Sequence, residues 1–318
     1  MLTKDNTLII IPPAGLYPQK LFDSITKLGY MVCPSMRGND NFFCRAFRSI
    51  FMKYDMKSQV FLYGRWNKEN LNKYENILIF HDKYSYPIIR VLQNKLKYTG
   101  MIYLYYMDPM ETDGAKDCNT ICVKPNEHFQ IYSFEKKDCE KYGYQYNSLF
   151  FFKEDAKIVD EYWTDVFFIG TDKGRLKDIL YSQKILHEAG IHTYMHVCMY
   201  GNKPSGYGRE IHYSYKPKIP YDELMEKLYH TRCVLDIVPE GQKEITLRVY
   251  EALFCHKKVI TNNVNIKKYG FYNSRNIFVI GEDAIDDIRD FVYSNFDSSE
   301  IDEEIENMDF ERWIRRFL

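Results

Sequence analysis

Thr246, Arg248 and Glu251 fall within six positions of one another, between two apolar runs, CVLDIV (233–238) and KKVITN (257–262). A hydroxyl, a cation and a carboxylate at a helix start between two strands of a parallel sheet are groups that hold phosphates and sugar hydroxyls. Thr246 is expected to be the N-cap of that helix. Arg248 reads either as a phosphate contact or as the ion-pair partner of a neighbouring carboxylate. Glu251, early in the helix, also suits the macrodipole without any chemical role. A second loop, GTDKGRL (170–176), closes the run TDVFFIG. Its Gly170 and Gly174 permit a tight turn around Thr171, and Lys173 and Arg175 are expected to reach a pyrophosphate. A lone loop of this kind is weak evidence, because many strand-to-helix turns look alike.

A side chain at a strand end that can take up a proton is a candidate for acid–base work. His81 and Asp82 close the run NILIFH, and Asp108 closes the next, in MDP. An imidazole with a pKa near neutrality suits that task, although a His ending a strand also serves as a structural hydrogen-bonding group. Arg37 opens RGNDNFFCRAFRSIFMKYDMK, where Phe43, Phe47, Ile50 and Tyr54 fall at helical spacing among Arg45, Arg48, Lys53 and Lys57. Residues 41–57 read either as a basic helix lying on an anionic membrane surface or as an ordinary helix burying its Phe face.

The elements that must position these groups alternate along the chain. TLIIIPP is a buried strand stopped by prolines, followed by a helix over QKLFDSITKLGY that stops at Gly29. YMVCPS, VFLYG, NILIFH, MIYLYYMDP, FQIYSF and YNSLFFF read as further strands, with a helix over YSYPIIRVLQNKLKYTG. The alternation restarts at TDVFFIG: helix RLKDILYSQKILHEAG, strand HTYMHVCMY, a loop over 201–219, helix YDELMEKLYHTR, strand CVLDIV, the Thr246 helix, strand KKVITN, strand NIFVIG and an acidic helix, EDAIDDIRDFVYSNF. FERWIRRFL reads as a terminal amphipathic helix. This predicts an α/β chain of two doubly wound Rossmann-like domains facing a cleft, with strand C-terminal ends presented to it.

A length of 318 residues suits two domains. Net charge is −1, but residues 1–150 carry 20 Lys and Arg against 15 Asp and Glu, and the remainder 23 against 29. No global field argues for nucleic acid, and none is expected as a partner. The 28 Tyr and 21 Phe suit either sugar platforms or an aromatic core. The eight Cys are expected to be reduced: several sit in apolar runs, and CNTIC (118–122) lacks zinc-site spacing. The first apolar run is too short for a signal peptide and no run reaches bilayer length, so a cytoplasmic chain is expected. No Asp-x-Asp occurs, so neither a metal nor another cofactor is expected.

The stretch from YDELMEKLYHTR through KKVITNN resembles the donor-binding half of bacterial GT-B glycosyltransferases, with likeness to the group 1 and CgeB-like enzymes of capsule and lipopolysaccharide synthesis. The resemblance rests on a strand, a loop and a helix bearing R-x-x-E-A-L, here Arg248, Glu251, Ala252 and Leu253. MDPM (107–110) and YSFEKKDCEKYG (132–143) look like the end of that family's first domain. The resemblance implies a nucleoside-diphosphate sugar as donor, a glycan or lipid-linked acceptor, and peripheral contact with the inner face of the cell membrane. It implies that Glu251 accepts the ribose hydroxyls, that Gly170, Thr171, Lys173, Arg175, Thr246 and Arg248 border the donor, and that His81, Asp82, Arg37 and Asp108 serve the acceptor. Residues 1–155 would then bind acceptor and 156–305 the nucleotide sugar, with a terminal helix over 306–318 returning toward the first domain. Retaining members carry two Glu eight positions apart, whereas Glu244 and Glu251 are seven apart and position 243 is Lys. Retention or inversion of configuration stays open. Two other readings stay open as well: a sugar-nucleotide epimerase of the same architecture, and a non-catalytic nucleotide-sugar-binding partner of another transferase.

Overall fold

The computed structural model describes residues 1–13, 16–37, 63–110, 124–199, 213–240, 242–299 and 303–318. The chain divides into two compact α/β units, Met1–Ser148 with Trp313–Leu318, and Leu149–Arg312. The basic aromatic segment over 41–57 lies outside the described residues, as do the Cys118–Cys122 pair and most of VFLYG.

In the first unit, β1 (Thr7–Ile11), β2 (Met31–Pro34), β3 (Asn76–Phe80), β4 (Met101–Tyr106), β5 (Phe129–Ser133) and β6 (Gln145–Tyr146) form one parallel sheet in the order β2-β1-β3-β4-β5-β6. Between them run α1 (Leu16–Lys27), α2 (Ser85–Arg90) and α3 (Lys136–Tyr142). Every residue of β1 and β3 is buried, so both sheet faces are covered, and this explains their unbroken apolar sequences. On one face Leu8, Ile10, Ile77, Ile79 and Leu104 pack with Trp66, Ile88 and Leu92. The opposite face carries Phe80, Tyr103, Tyr105 and Tyr132. It is covered by the last residues of the chain: Trp313 lies 4.8 Å from Tyr105 and 6.1 Å from Phe80, and Phe317 lies 4.5 Å from Tyr132 between ring centroids. The Trp313 indole N–H donates to the Ser148 carbonyl at 2.6 Å.

The second unit holds β7 (Thr164–Thr171), β8 (Thr193–Cys198), β9 (Thr231–Asp236), β10 (Lys258–Thr261) and β11 (Ile277–Val279), all parallel, in the order β11-β10-β9-β7-β8. Its helices are α4 (Leu176–Glu188), α5 (Tyr221–Tyr229), α6 (Leu247–Phe254) and α7 (Ile288–Tyr293). Val166, Phe168, Leu176, Ile179, Leu235, Ile260 and Phe291 share one core cluster.

Several elements depart from the sequence expectation. The helix expected across 84–100 is α2 followed by a π-helical turn, Val91–Lys95. The strand expected over YNSLFFF is confined to Gln145–Tyr146; Phe151 instead makes an isolated bridge to Asp309. The terminal amphipathic helix is a single turn, Phe310–Trp313, continued by a 3-10 turn, Ile314–Arg316. Among the described residues Cys33, Cys139, Cys198, Cys233 and Cys255 form no disulfide with one another. No described helix is long and apolar enough to cross a membrane.

Candidate functional site

Strand order locates the site of the second unit. From β7 the chain moves outward to β8, then returns to the other side of β7 to form β9. The sheet reverses direction at that point, and the crevice beyond the C-terminal ends of such a strand pair is where open α/β sheets bind ligands. The loops after β7 and β9 are the two that carry the candidate donor residues.

Asp172 organises the first loop. Its Oδ1 accepts hydrogen bonds from the amides of Gly174 (3.1 Å) and Leu176 (3.2 Å), and its Oδ2 accepts the Tyr215 hydroxyl. It thereby satisfies donors at the start of α4 that the helix cannot satisfy itself. The turn forces Lys173 and Gly174 into left-handed backbone, with φ of 47° and 84°. Lys173 is exposed. Arg175 is placed differently from the expectation that it reaches toward a pyrophosphate. Its Nε and Nη2 donate to the Thr171 carbonyl at 3.1 and 3.0 Å, its Nη1 donates to the Ile237 carbonyl, and its guanidinium lies 5.5 Å from the Phe168 ring centroid. Arg175 therefore ties the ends of β7 and β9 together across the switch point. Gly170 makes room for it: a Cβ there would stand 2.7 Å from Arg175 Nη2.

The second loop is held by side chains of two strands. Asn262 accepts from the Val238 amide at 2.8 Å, and Asn263 donates to the Lys243 carbonyl at 3.1 Å. Asp236, buried at the end of β9, accepts the hydroxyls of Thr246 at 2.9 Å and Thr261 at 3.4 Å. Thr246 stands at the N-cap position of α6 as expected, and its hydroxyl makes no cap bond there. The hydroxyl proton is donated to the buried carboxylate of Asp236. Among the described residues the amides of Leu247 and Arg248 have no hydrogen-bond partner, so the first turn of α6 keeps donors for a ligand.

Glu251 is 1% exposed. Its Oε1 accepts the Tyr221 hydroxyl at 2.7 Å, and its Oε2 pairs with Arg248 Nη1 without the alignment of a hydrogen bond. Desolvation raises the pKa of Glu251, opposed chiefly by Arg248. Desolvation also raises Asp236, opposed by the Thr246 hydrogen bond and then by Arg175 and Arg248. Two buried carboxylates and two guanidiniums thus face one another around the start of α6. Glu244 accepts the Tyr269 hydroxyl.

In the first unit the order reverses between β1 and β3, and His81 and Asp82 directly follow β3. Asp82 is engaged on both oxygens: Oδ2 accepts the Ser35 hydroxyl at 2.7 Å, and Oδ1 accepts the Tyr84 amide at 2.8 Å. Its own amide donates to Ser85 Oγ at 2.8 Å, a reciprocal arrangement that starts α2. Burial raises the pKa of Asp82. The His81 ring stacks on Tyr106 with centroids 3.9 Å apart, and its Nε2 has no hydrogen-bond partner among the described residues. The imidazole does not keep the near-neutral value expected of it; desolvation lowers it to about 4, so it is uncharged at neutral pH. Arg37 and Asp108 are exposed.

Asp172, Tyr215, Tyr221 and Asp236 belong to these clusters and were not among the sequence candidates. Asp172 stands four residues before a helical run, a recognisable start signal, and Asp236 is the only charge within the apolar run CVLDIV. Tyr215 and Tyr221 carry no local signal, because their partners lie 43 and 30 positions away.

No protein-family model and no curated protein matches the chain. Solved structures do. A DNA-modifying β-glucosyltransferase, described with and without uridine diphosphoglucose, is similar over 95% of this chain and 91% of its own, with a TM-score of 0.51 and 15% identity. Sucrose-phosphate synthase of Thermosynechococcus elongatus covers 90% and 88%, with a TM-score of 0.49 and 11% identity. Anabaena HepE in complex with UDP-glucose covers 90% and 88%, with a TM-score of 0.47 and 10% identity. The likeness to the β-glucosyltransferase, at 15% identity, shows the fold alone: two Rossmann-like α/β units of the GT-B type.

Proposed function

We propose that the chain is a glycosyltransferase that takes a sugar from a uridine-diphosphate donor held at the C-terminal edge of β7 and β9. The carrying observation is the switch point itself, where Arg175 joins two loops and the first amides of α6 remain open. In the transfer, an acceptor oxygen attacks the anomeric carbon as the bond to the diphosphate oxygen breaks. The diphosphate departs with the electron pair and the acceptor proton passes to a base. Charge that develops on the leaving group is stabilised by fixed N–H donors and cations, without reorganisation. Lys173 and the α6 amides fill that role, with no divalent metal required. Arg175 shapes the loops, and Glu251 serves the site by holding Arg248 and Tyr221. Direct contact between Glu251 and ribose needs one of these partners to move aside.

On the acceptor side the reading assigns His81 as the proton acceptor, with Asp82 holding the start of α2 beside it and Arg37 and Asp108 as further polar contacts. The acceptor is a glycan or lipid-linked sugar of bacterial surface polysaccharide synthesis, met at the inner face of the cell membrane. A second reading of the acceptor is a hydroxylated base in DNA. The β-glucosyltransferase likeness favours it, as does the excess of cations, 20 against 15 anions, over residues 1–150. That reading requires affinity that falls steeply with salt.

Thermal unfolding with each nucleoside diphosphate, wild type beside Glu251→Gln, tests the donor site. A ligand at a hundred times its Kd stabilises by about 2.7 kcal/mol. A shift with UDP alone, weakened in the variant and unchanged by a chelator, supports the reading. Silence with every nucleotide overturns it. UDP-sugar turnover with lipid-linked glycan or with DNA whose bases carry a hydroxyl then separates the acceptors.

A further inference from the structure

At the opposite end of the second sheet lies a hollow of about 410 Å³ lined by Glu161, Tyr162, Trp163, Glu226, Lys227 and His230. Trp163 directly precedes β7 and His230 directly precedes β9, so the hollow sits at the N-terminal strand edge. The eight residues of β7, at about 3.3 Å each, separate it from the donor loops. Its volume falls in the range of small-molecule sites, about 300–1,000 Å³.

The lining is built from two kinds of group. Tyr162 and Trp163 are 39% and 40% exposed, so two adjacent aromatic rings meet solvent at the hollow. Their positions are fixed: the Trp163 indole N–H donates to the Lys227 carbonyl at 3.0 Å, taking up a carbonyl at the C-terminus of α5, and Trp163 meets Tyr194 edge-on at 4.8 Å. The Arg232 guanidinium lies 4.3 Å from the Tyr162 centroid. Around the rings stand two carboxylates, an ammonium and an imidazole. Glu226 pairs with His230 at 3.4 Å and with Lys157 at 3.7 Å. Lys227, with Lys157 and Arg232 nearby, stands beside Glu161 and Glu226, so the surroundings of the hollow carry both signs of charge. Flat apolar rings beside paired acceptors and donors match a molecule with apolar C–H faces and a rim of hydroxyls.

We propose that this hollow is a second binding site, for a neutral oligosaccharide, separate from the donor site. The rings stack on the C–H face of a pyranose, Glu161 and Glu226 accept from its hydroxyls, and Lys227 donates to them, while His230 holds Glu226 and the Glu161 carbonyl in place. Such a site retains a glycan chain on the protein while another part of it reacts. It does not depend on the transfer reading, because binding alone is measured.

The chain has three tryptophans. Trp66 and Trp313 are fully buried, so the indole N–H resonance of Trp163 reports on this hollow alone. Titration of the whole ¹⁵N-labelled chain with cellohexaose, maltohexaose and chitohexaose is expected to move that resonance saturably with at least one of them, leaving the other two indoles in place. Tyr162→Ala and Glu226→Gln are each expected to weaken binding about tenfold, with UDP failing to displace the sugar. Both changes fall on exposed side chains, so the fold is retained and is checked by the unmoved indoles. No Trp163 shift with any of the three at millimolar concentration overturns the proposal, as does a shift that both variants leave unchanged.

Discussion

The Tyr221 hydroxyl donates to Glu251 Oε1 across 2.7 Å, joining the first residue of α5 to a carboxylate inside α6 that is 1% exposed. Arg248, one turn earlier on α6, supplies the countercharge to the other oxygen. A buried carboxylate left without its cation is costly, so Arg248→Met is expected to destabilise the chain by about 3–5 kcal/mol. Tyr221→Phe removes one hydrogen bond to a charged group and is expected to cost about 1.5–3 kcal/mol. Arg248→Met with Glu251→Met together removes both charges and is expected to recover much of the loss. Urea unfolding of the three variants measures this; equal stability of Arg248→Met and wild type would show that Glu251 is not ionised in the fold.

Gly174→Ala tests the turn after β7. A Cβ at this position meets nothing within 4 Å, but the backbone sits at φ 84°. The penalty is therefore conformational and is expected to be about 1–2 kcal/mol. Gly174→Asn, which tolerates left-handed backbone better, is expected to cost less. Equal losses in both would point to a contact of the side chain instead. The turn fixes Lys173, so weaker binding of UDP is expected to accompany the loss in the Ala variant.

His81 predicts a pH dependence. Its pKa stands at about 4 in the fold against 6.5 in the unfolded chain. Between these values the unfolded chain binds a proton that the folded chain refuses, so stability falls as pH drops from 6.5 toward 4. At about 1.36 kcal/mol per pH unit the full loss is on the order of 3 kcal/mol. In His81→Asn that contribution is absent, and the gap between the two proteins is expected to close as pH falls. Chemical unfolding at pH 7.5, 6, 5 and 4 measures it. A gap that stays constant would place the imidazole in contact with water.

The sheets were legible because their central strands are buried on both faces. TLIII and NILIF admit no other reading once prolines and polar loops bound them. The loops after β7 and β9 were legible as places, through glycine and charge at strand ends. What each side chain does there was not. Arg175 and Thr246 look like phosphate and cap groups, yet they bond to the Thr171 and Ile237 carbonyls and to Asp236. Those acceptors come into reach only when β7 and β9 become neighbours. The same holds for Tyr215 and Tyr221, whose partners are set by tertiary folding and leave no periodic trace. FERWIRRFL shows amphipathic spacing, but nothing in it names the face it covers.

That face is the aromatic side of the first sheet, and it yields the sharpest stability prediction. Trp313 is fully buried, stacks near Phe80, meets Tyr105 and Phe317 edge-on, and donates to the Ser148 carbonyl. Trp313→Ala removes this contact area and leaves a void that rigid neighbours fill poorly, at an expected cost of about 3–5 kcal/mol. Trp313→Phe keeps the ring stack and leaves the Ser148 carbonyl the Tyr105 hydroxyl as donor, at 2.7 Å, and is expected to cost less. Deleting Trp313–Leu318 exposes Tyr103, Tyr105 and Tyr132 together, so the shortened chain is expected to bind a hydrophobic dye and to aggregate on warming. Because these residues belong to the first unit, hydrogen exchange in the deletion variant is expected to accelerate in β3, β4 and β5 while β7 and β9 keep their protection. Equal acceleration in both units would instead mean that the last six residues hold the whole chain together.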